Sequence, residues 1–343
     1  MTLQIVPTLP SERSALRDFL QHNFQSAVQV NSFDPDVLAW KYFSFHPQWS
    51  EARSYLVKKC EKIVAHAGIW PLRLATGTRE LKVIHMIDWA ASRAEPGVGV
   101  MLLRQFASMC DLLLTIGGSD DTRAILPKIG YRQCGELKLQ ARVVRPLKQV
   151  NAGKLADWKG WLRALRNVGL SLQPLPKVPS DWSISKVSQF AGQMPSFPAR
   201  AGLISEHSAA ELNYLLSCPG ARFSGFTISQ SGRARGYFIL SQIQGQTRIV
   251  DLGIDGDDPK HRPVVCILAA HTAAKLSETR EIVAGFSDTQ RQKEFAGVGF
   301  KVRQTLPVFC YDPGKLMGVE AASLTMLDGD ICFMANLKHP YLL

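Results

Sequence analysis

The sequence predicts a mixed α/β protein in which one strand-and-helix unit is used twice. Three observations carry that expectation. Apolar runs of strand length alternate with helix-like segments after an antiparallel start in each half. Four landmarks recur in the same order at a nearly constant offset: Pro47 with Pro219 (172 residues apart), Gly68 with Gly236 (168), Ser119 with Ser287 (168) and Gly130 with Gly299 (169). Finally, 343 residues with 46% hydrophobic side chains suffice for a large core and two domains.

In the first half, a helical entry ending in WKYFSFHP (40–47) leads to strands at 53–60, 63–75 and 80–91. A helix over 97–110 follows, opened by the Gly-x-Gly of EPGVGVMLLRQF (95–106), with Met101, Leu102 and Met109 turned to the interior. A strand at 112–117, a helix at 120–128 and a strand at 131–145 complete the unit. The second half repeats the order, with LNYLLSCP (212–219) and strands at 222–229, 235–243 and 246–254. A helix at 264–278, a strand at 281–286, a helix at 288–297 and a strand at 300–311 follow. SDDTRAILPKIGYR (119–132) and SDTQRQKEFAGVGFKVR (287–303) are the clearest pair. Each starts Ser-Asp, runs through a short helix and closes on Gly plus an aromatic residue. Ser119 and Ser287 suit helix N-caps. The expected domains are 1–145 and 181–343, joined by a linker at 146–180.

That linker holds LADWKGWLRALRNVG (155–169) and then a Pro-rich passage, LQPLPKVPSDW. Leu155, Trp158, Trp161, Leu162, Leu165 and Val168 share one helical face, while Lys154, Lys159, Arg163 and Arg166 lie mostly off it. Such a helix either docks between the two domains or touches a membrane surface or partner.

Net charge is +11, and residues 121–170 hold eleven Lys/Arg against Asp121, Glu136 and Asp157, a local +8. A basic surface attracts phosphates of any origin: a nucleotide, an activated sugar, a lipid surface or RNA. Seven scattered cysteines without a C-x-x-C pair argue against a disulfide framework or a cysteine-rich zinc site, and no H-E-x-x-H occurs, so no metal is expected. No apolar run approaches the ~18 residues of a transmembrane helix, and the first residues lack the pattern of a signal peptide. The chain reads as cytoplasmic.

The order of strand VIHMIDWAA, GVG at a helix start, strand LLLTIG and a short helix ending in KIGYR resembles the GNAT acyltransferase superfamily. The resemblance covers residues 35–145 and, more weakly, 205–312, so that the fold expected is two tandem GNAT-like domains related by internal duplication. It implies acyl-CoA, with acetyl-CoA the simplest case, as co-substrate. Its pyrophosphate would rest on the backbone of Gly97, Val98, Gly99 and Val100, at a helix N-terminus where amides are unpaired and the dipole is positive. The alternative is a turn that needs glycine for its geometry. The strand with Trp89 and Ala90 would flank the pantetheine arm and aim a backbone amide at the thioester carbonyl, and Ser119 would touch the arm from the next strand.

Asp88 and His85 are the candidate acid–base residues, on opposite faces of the strand by period-two alternation. Asp88 has a counterpart in Asp251 of IVDLGID, a repetition that suits a structural brace as well. The family's Arg or Gln before the glycine pair is Ala94 here, and its thiolate-protonating tyrosine is Leu126 in one half and Phe295 in the other. Pro127 interrupts the first of those helices. The corresponding loop of the second half, DGDDPKHRPVVC (255–266), lacks Gly-x-Gly and carries Asp255, Asp257 and Asp258, so that half is expected to bind acceptor or to be structural. The expected activity is acyl transfer to a small-molecule amine, with an anionic amino sugar or nucleotide-linked sugar suiting the basic stretch. An aminoacyl-tRNA-dependent transferase of the Fem type and a non-catalytic scaffold are the alternatives. DNA is not an expected partner.

Overall fold

A computed structural model describes residues 3–24, 30–76, 79–149, 158–195, 203–255, 260–316, 322–335 and 341–342. The first half contains β1 (Leu3–Pro7), α1 (Arg13–Asn23), α2 (Pro35–Leu38), which runs into a π-helical turn Ala39–Phe43, and then β2 (Ser54–Lys59), β3 (Lys62–Thr76) and β4 (Arg79–Ala91). It continues through α3 (Val98–Ala107), β5 (Leu112–Ile116), α4 (Asp120–Ile125) and β6 (Arg132–Val143). After α5 (Trp158–Ser171) and β7 (Trp182–Val187) comes β8 (Ile204–Ser205). Then follow α6 (Ala209–Leu216), β9 (Arg222–Gln230), β10 (Arg233–Ile243), β11 (Gln246–Ile254), α7 (His261–Lys275), β12 (Glu281–Phe286), α8 (Thr289–Gly297) and β13 (Lys301–Tyr311). The elements expected between residues 53 and 145 and between 222 and 311 are all present.

One mixed sheet runs through both halves in the order β1-β2-β3-β4-β5-β13-β6-β12-β11-β10-β9-β7, with β8 on β3. Its centre exchanges strands. The last strand of the second half, β13, pairs with β5 of the first, and β6 of the first pairs with β12 of the second. β6 and β13 also pair with each other. The unit is repeated, but each copy is completed by the other's final strand.

This order also fixes direction. β4 is parallel to β5, β11 is parallel to β12, and three antiparallel pairings lie between β5 and β12. The two parallel pairs therefore point in opposite directions. β4 and β5 pair only from Val83 with Leu112 to His85 with Leu114, then part. β11 and β12 pair from Gln246 with Glu281 to Ile249 with Ala284, then part as well. Both pairs open at their C-terminal ends, at opposite edges of the sheet.

Three apolar clusters hold the layers. Leu102, Leu103 and Phe106 of α3 bury against Val57, Ile69 and Ile84. Val265, Leu268 and Ala269 of α7, with Phe295 of α8, bury against Ile228, Phe238 and Ile282. The third cluster is common to both halves: Leu16 and Leu20 of α1, Leu212 and Leu215 of α6, and Leu324, Met326 and Phe333 of the C-terminal segment. Trp40 stacks on Tyr214, ring centroids 4.5 Å apart, so the two entry segments that correspond in sequence meet in space.

α5 docks by a side other than its apolar face. Asn167 is buried and donates to Gln149, whereas Trp161, Leu162 and Leu165 are exposed. Leu155 and Lys154 lie outside the described residues. Part of the basic stretch beside it is spent internally: Arg142 donates to the carbonyls of Val298 and Gln173, and Arg145 to those of Ala274, Leu276 and Thr279 at the C-terminal end of α7.

Candidate functional site: the cleft where β4 and β5 part

Where β5 leaves it, β4 bulges. His66 of β3 pairs with Ala90 and Gly68 pairs with Ile87, so Asp88 and Trp89 together face Ala67 alone. Asp88 takes a left-handed conformation, φ 48°. Its carbonyl accepts from Nδ1 of His66 at 2.9 Å, whose Nε2 meets the Ser54 hydroxyl at 3.0 Å. Its carboxylate accepts from the buried Lys41 ammonium at 2.5 Å and from the Tyr42 hydroxyl. Burial alone raises a carboxyl's pKa, but Lys41 and these hydrogen bonds prevail and hold Asp88 below the usual range. Gly68 makes the arrangement possible, because a Cβ there would strike the Tyr42 ring at 2.6 Å.

The second half repeats the device. Leu240 pairs with Ile249 and Ile239 with Asp251, leaving Val250 as the extra residue. Asp251 accepts from Tyr237 at 2.6 Å, but its cation is His207, 3.0 Å away. On its other side His207 meets Asp328 at 3.0 Å. Burial opposes the imidazolium, yet the two carboxylates raise its pKa far above the usual value. A cavity of about 1090 Å³ lies there, lined by Tyr237, His207, Arg291 and Pro195. The Pro195 carbonyl presses on Gly253, so the chain covers that side of β11. α7 begins at His261; Asp257 and Asp258 lie outside the described residues.

Of the sequence-derived candidates, His85, Asp88, Trp89, Ala90 and Ser119 line the first cleft, in distinct environments, whereas Gly97, Val98, Gly99 and Val100 at the start of α3 are not among its lining residues. Both ring nitrogens of His85 are engaged: Nδ1 meets the Asp328 carbonyl at 2.8 Å, and Nε2 accepts from the Ile116 amide at 3.2 Å. Burial lowers its pKa to about 4, so it is neutral and bridges β4 to the part of β5 that has left it. Gly97 is the N-cap of α3 with φ 85°, in the region that favours glycine. A Cβ on Gly99 would meet the Trp89 indole nitrogen at 2.9 Å, and that indole donates to the Gly99 carbonyl at 3.2 Å. The Val100 amide bonds Gly97 at 3.0 Å, and the Val98 amide reaches Glu95 at 3.4 Å. Ala90 is buried beside the cleft. Ser119 caps α4, accepting from the Thr122 amide at 3.2 Å, and also lines the cleft. Ser287 is not a cap: Asp288 caps α8, and Ser287 instead ties residues 322 and 324 of the C-terminal segment.

The cleft continues as a groove of about 850 Å³, lined by Ile116, Leu139, Val283, Leu306, Met326 and Asp330 among others. This lies within the size range of small-molecule sites. Asp330 is a residue that the sequence did not single out. It comes from the segment that the two halves hold between them. The Asp328 carbonyl accepts from His85, that of Ile331 from Arg248 at 2.6 Å, that of Cys332 from Ser241 at 2.7 Å and that of Phe333 from Asn31 at 2.6 Å. Asp330's own carbonyl accepts from Phe333 and Met334. The Asp328 carboxylate accepts from Ser205 at 2.5 Å and from the Thr325 amide at 2.6 Å. With its backbone clamped, Asp330 presents a partly buried carboxyl to the groove. Burial raises its pKa, Asp88 adds to the rise and Lys41 opposes it, leaving it at about 7.

No protein-family model matches the sequence, and neither does any curated protein. Solved structures do match in shape. A tandem GNAT protein from the clavulanic acid biosynthesis pathway is 12% identical, with 91% of this chain and 99% of that one covered at a TM-score of 0.57. Saccharomyces cerevisiae N-myristoyltransferase, solved with myristoyl-CoA and inhibitors, is 12% identical over 96% of this chain and 84% of its own, TM-score 0.60. A GCN5-related N-acetyltransferase from Anabaena variabilis is 10% identical over 90% and 72%, TM-score 0.56. The chain shares the fold of these GNAT proteins, built twice.

Proposed function

We propose that this chain transfers an acyl group from acyl-CoA to an amine, in the cleft between β4 and β5, with Asp330 as the general base. The observation that carries the proposal is the coincidence of three features at one level of the sheet: the parted strands, the bulge at Asp88 and the Asp330 carboxyl. The bulge turns the Asp88 carbonyl toward His66 of β3. Because a trans peptide opposes its C=O and N–H, the Trp89 amide is directed away from the His66 ring, and in this reading it faces the gap that β5 leaves. A thioester laid along β4 would place its carbonyl oxygen against that amide, a fixed donor for the developing oxyanion.

The acceptor arrives as an ammonium and loses a proton to Asp330. Its nitrogen then attacks the thioester carbon, the C–S bond breaks and CoA leaves as the thiolate, while the second proton on the nitrogen passes to solvent at the mouth. A carboxyl with a pKa near 7 is matched to this task, whereas Asp88 is ionised but committed to Lys41 and Tyr42, and His85 has both nitrogens bonded. In this reading Asp88 and His85 position the strand, and solvent at the mouth protonates the thiolate, since Leu126 and Phe295 stand where the family has its tyrosine. The groove's apolar walls suit an amine carried on a largely apolar body. Its Arg248 is engaged by the Ile331 carbonyl and by Gln246, which offers little to an anionic sugar or a tRNA backbone.

The phosphates of CoA would lie at the start of α3, drawn by the positive end of its dipole, since the Val98 and Val100 amides are already bonded to Glu95 and Gly97. Gly97 supplies a clean test, because its Cβ direction opens into free space and both Asn and Asp tolerate a positive φ. Calorimetric titration with acetyl-CoA, a longer acyl-CoA and free CoA should show binding by wild type and Gly97→Asn, and about tenfold weaker binding by Gly97→Asp. Equal affinity of the two variants removes the phosphate assignment. No binding of any of the three by wild type overturns the proposal.

A further inference from the structure

α5 lays its apolar stripe toward solvent. Trp161, Leu162, Leu165 and Leu172, with Leu147 on the adjoining turn, range from 53% exposed at Leu162 to 79% at Leu147. At 100° per residue, positions 161, 162, 165 and 172 fall within one sector of the helix. Asn167, on the opposite side, is buried and bonded to Gln149 at 3.0 Å, which pins the helix with its apolar face outward. Apolar side chains grouped in this way on a surface mark a contact site, whereas scattered ones do not.

The surrounding charge identifies the contact. Between residues 145 and 172 the sequence carries six Lys/Arg against Asp157 alone, within a chain of net charge +11. Lys148 and Arg166 are exposed beside the apolar face. An apolar stripe that includes a tryptophan, flanked by cations and lying flat on the protein, has the make-up of an interfacial helix, whose apolar face enters the headgroup boundary while its cations meet anionic lipid. Among the described residues no helix is long and apolar enough to cross a membrane, so the contact concerns a surface.

We infer that α5, with Leu147, docks the protein on anionic membrane surfaces, an attachment separate from the β4–β5 cleft.

The test is flotation of the full-length protein with vesicles of phosphatidylcholine and phosphatidylglycerol in equal parts, beside vesicles of phosphatidylcholine alone. Wild type should float with the anionic vesicles and far less with the neutral ones, and added salt should release it. Trp161→Ser/Leu165→Ser should lower the partition by about tenfold or more, since each buried apolar side chain contributes to insertion. Both positions are exposed, so the double variant should keep the wild-type circular dichroism and melting temperature. Wild type that floats with neither vesicle overturns the inference, and concentration-dependent self-association abolished by the same double variant would assign the face to a second copy instead. Flotation of the double variant equal to wild type also overturns it.

Discussion

Asp330 places folding and chemistry in opposition. Its carboxyl has a pKa near 7 in the folded chain against 3.8 for an unperturbed aspartate, so the folded state holds this proton more tightly than the unfolded state does. The sign follows: stability falls as pH rises through the window from about 4 to 7. Asp330→Asn preserves the shape and removes that loss. Thermal melts should show the variant more stable than wild type at about pH 8 and little changed near pH 4. Its transfer rate should fall by about 10²–10⁴-fold, and the limb of the pH–rate profile near 7 should vanish. A variant that keeps the limb and the rate would assign the base to another group. Nothing in LDGDICF marks Asp330 in the sequence, because its pKa and its place in the groove come from Asp88, Lys41 and burial, all supplied by distant chain. His85 and Asp88 stood out because they lie on the strand itself, but their bonding partners, Asp328 and Lys41, are equally remote in sequence.

At the scale of the element, β4 depends on its bulge, and the bulge depends on a buried ion pair. The side chain of Lys41 is fully buried and that of Asp88 nearly so. Removing one partner leaves an uncompensated charge in the interior, whereas removing both costs much less. Lys41→Met should destabilise the protein by about 3–5 kcal/mol, and Lys41→Met/Asp88→Asn by clearly less, measured by urea unfolding. A double variant that loses as much as Lys41→Met and Asp88→Asn added together would mean that the pair contributes no coupling. The start of α3 illustrates a different limit on legibility. Gly-x-Gly was readable as either a cradle or a turn, and the structure gives each glycine a local cause: a positive φ at Gly97 and the Trp89 indole at Gly99. Those causes account for the glycines without deciding what the helix end receives, which is why the Asp/Asn comparison at Gly97 is informative.

For the whole molecule, the exchanged strands make the halves interdependent. β5 finds its outer partner in β13, and β6 lies between β13 and β12. A fragment of residues 1–149 would leave the β5 edge bare and β6 without either neighbour, an exposed template for aggregation. Expressed alone, it should elute as aggregate on size exclusion and lack cooperative melting, whereas co-expression with residues 150–343 should restore a soluble complex. A monomeric, cooperatively folding fragment would show that the exchange is dispensable.

The order of strands and helices in both halves was legible in the sequence, as were the recurrence of the unit and the placing of Asp88 and Asp251 at equivalent points. These rest on local periodicity and on punctuation by Gly and Ser, which residues close in the chain determine. Tertiary structure decided the rest: which strand completes which half, that a C-terminal segment carries Asp330 into the cleft, and that the apolar stripe of α5 faces outward. A strand's pattern is the same whichever neighbour it pairs with, and an amphipathic helix carries the same stripe whether that stripe meets a core or a lipid surface. Only the long-range contacts distinguish these cases.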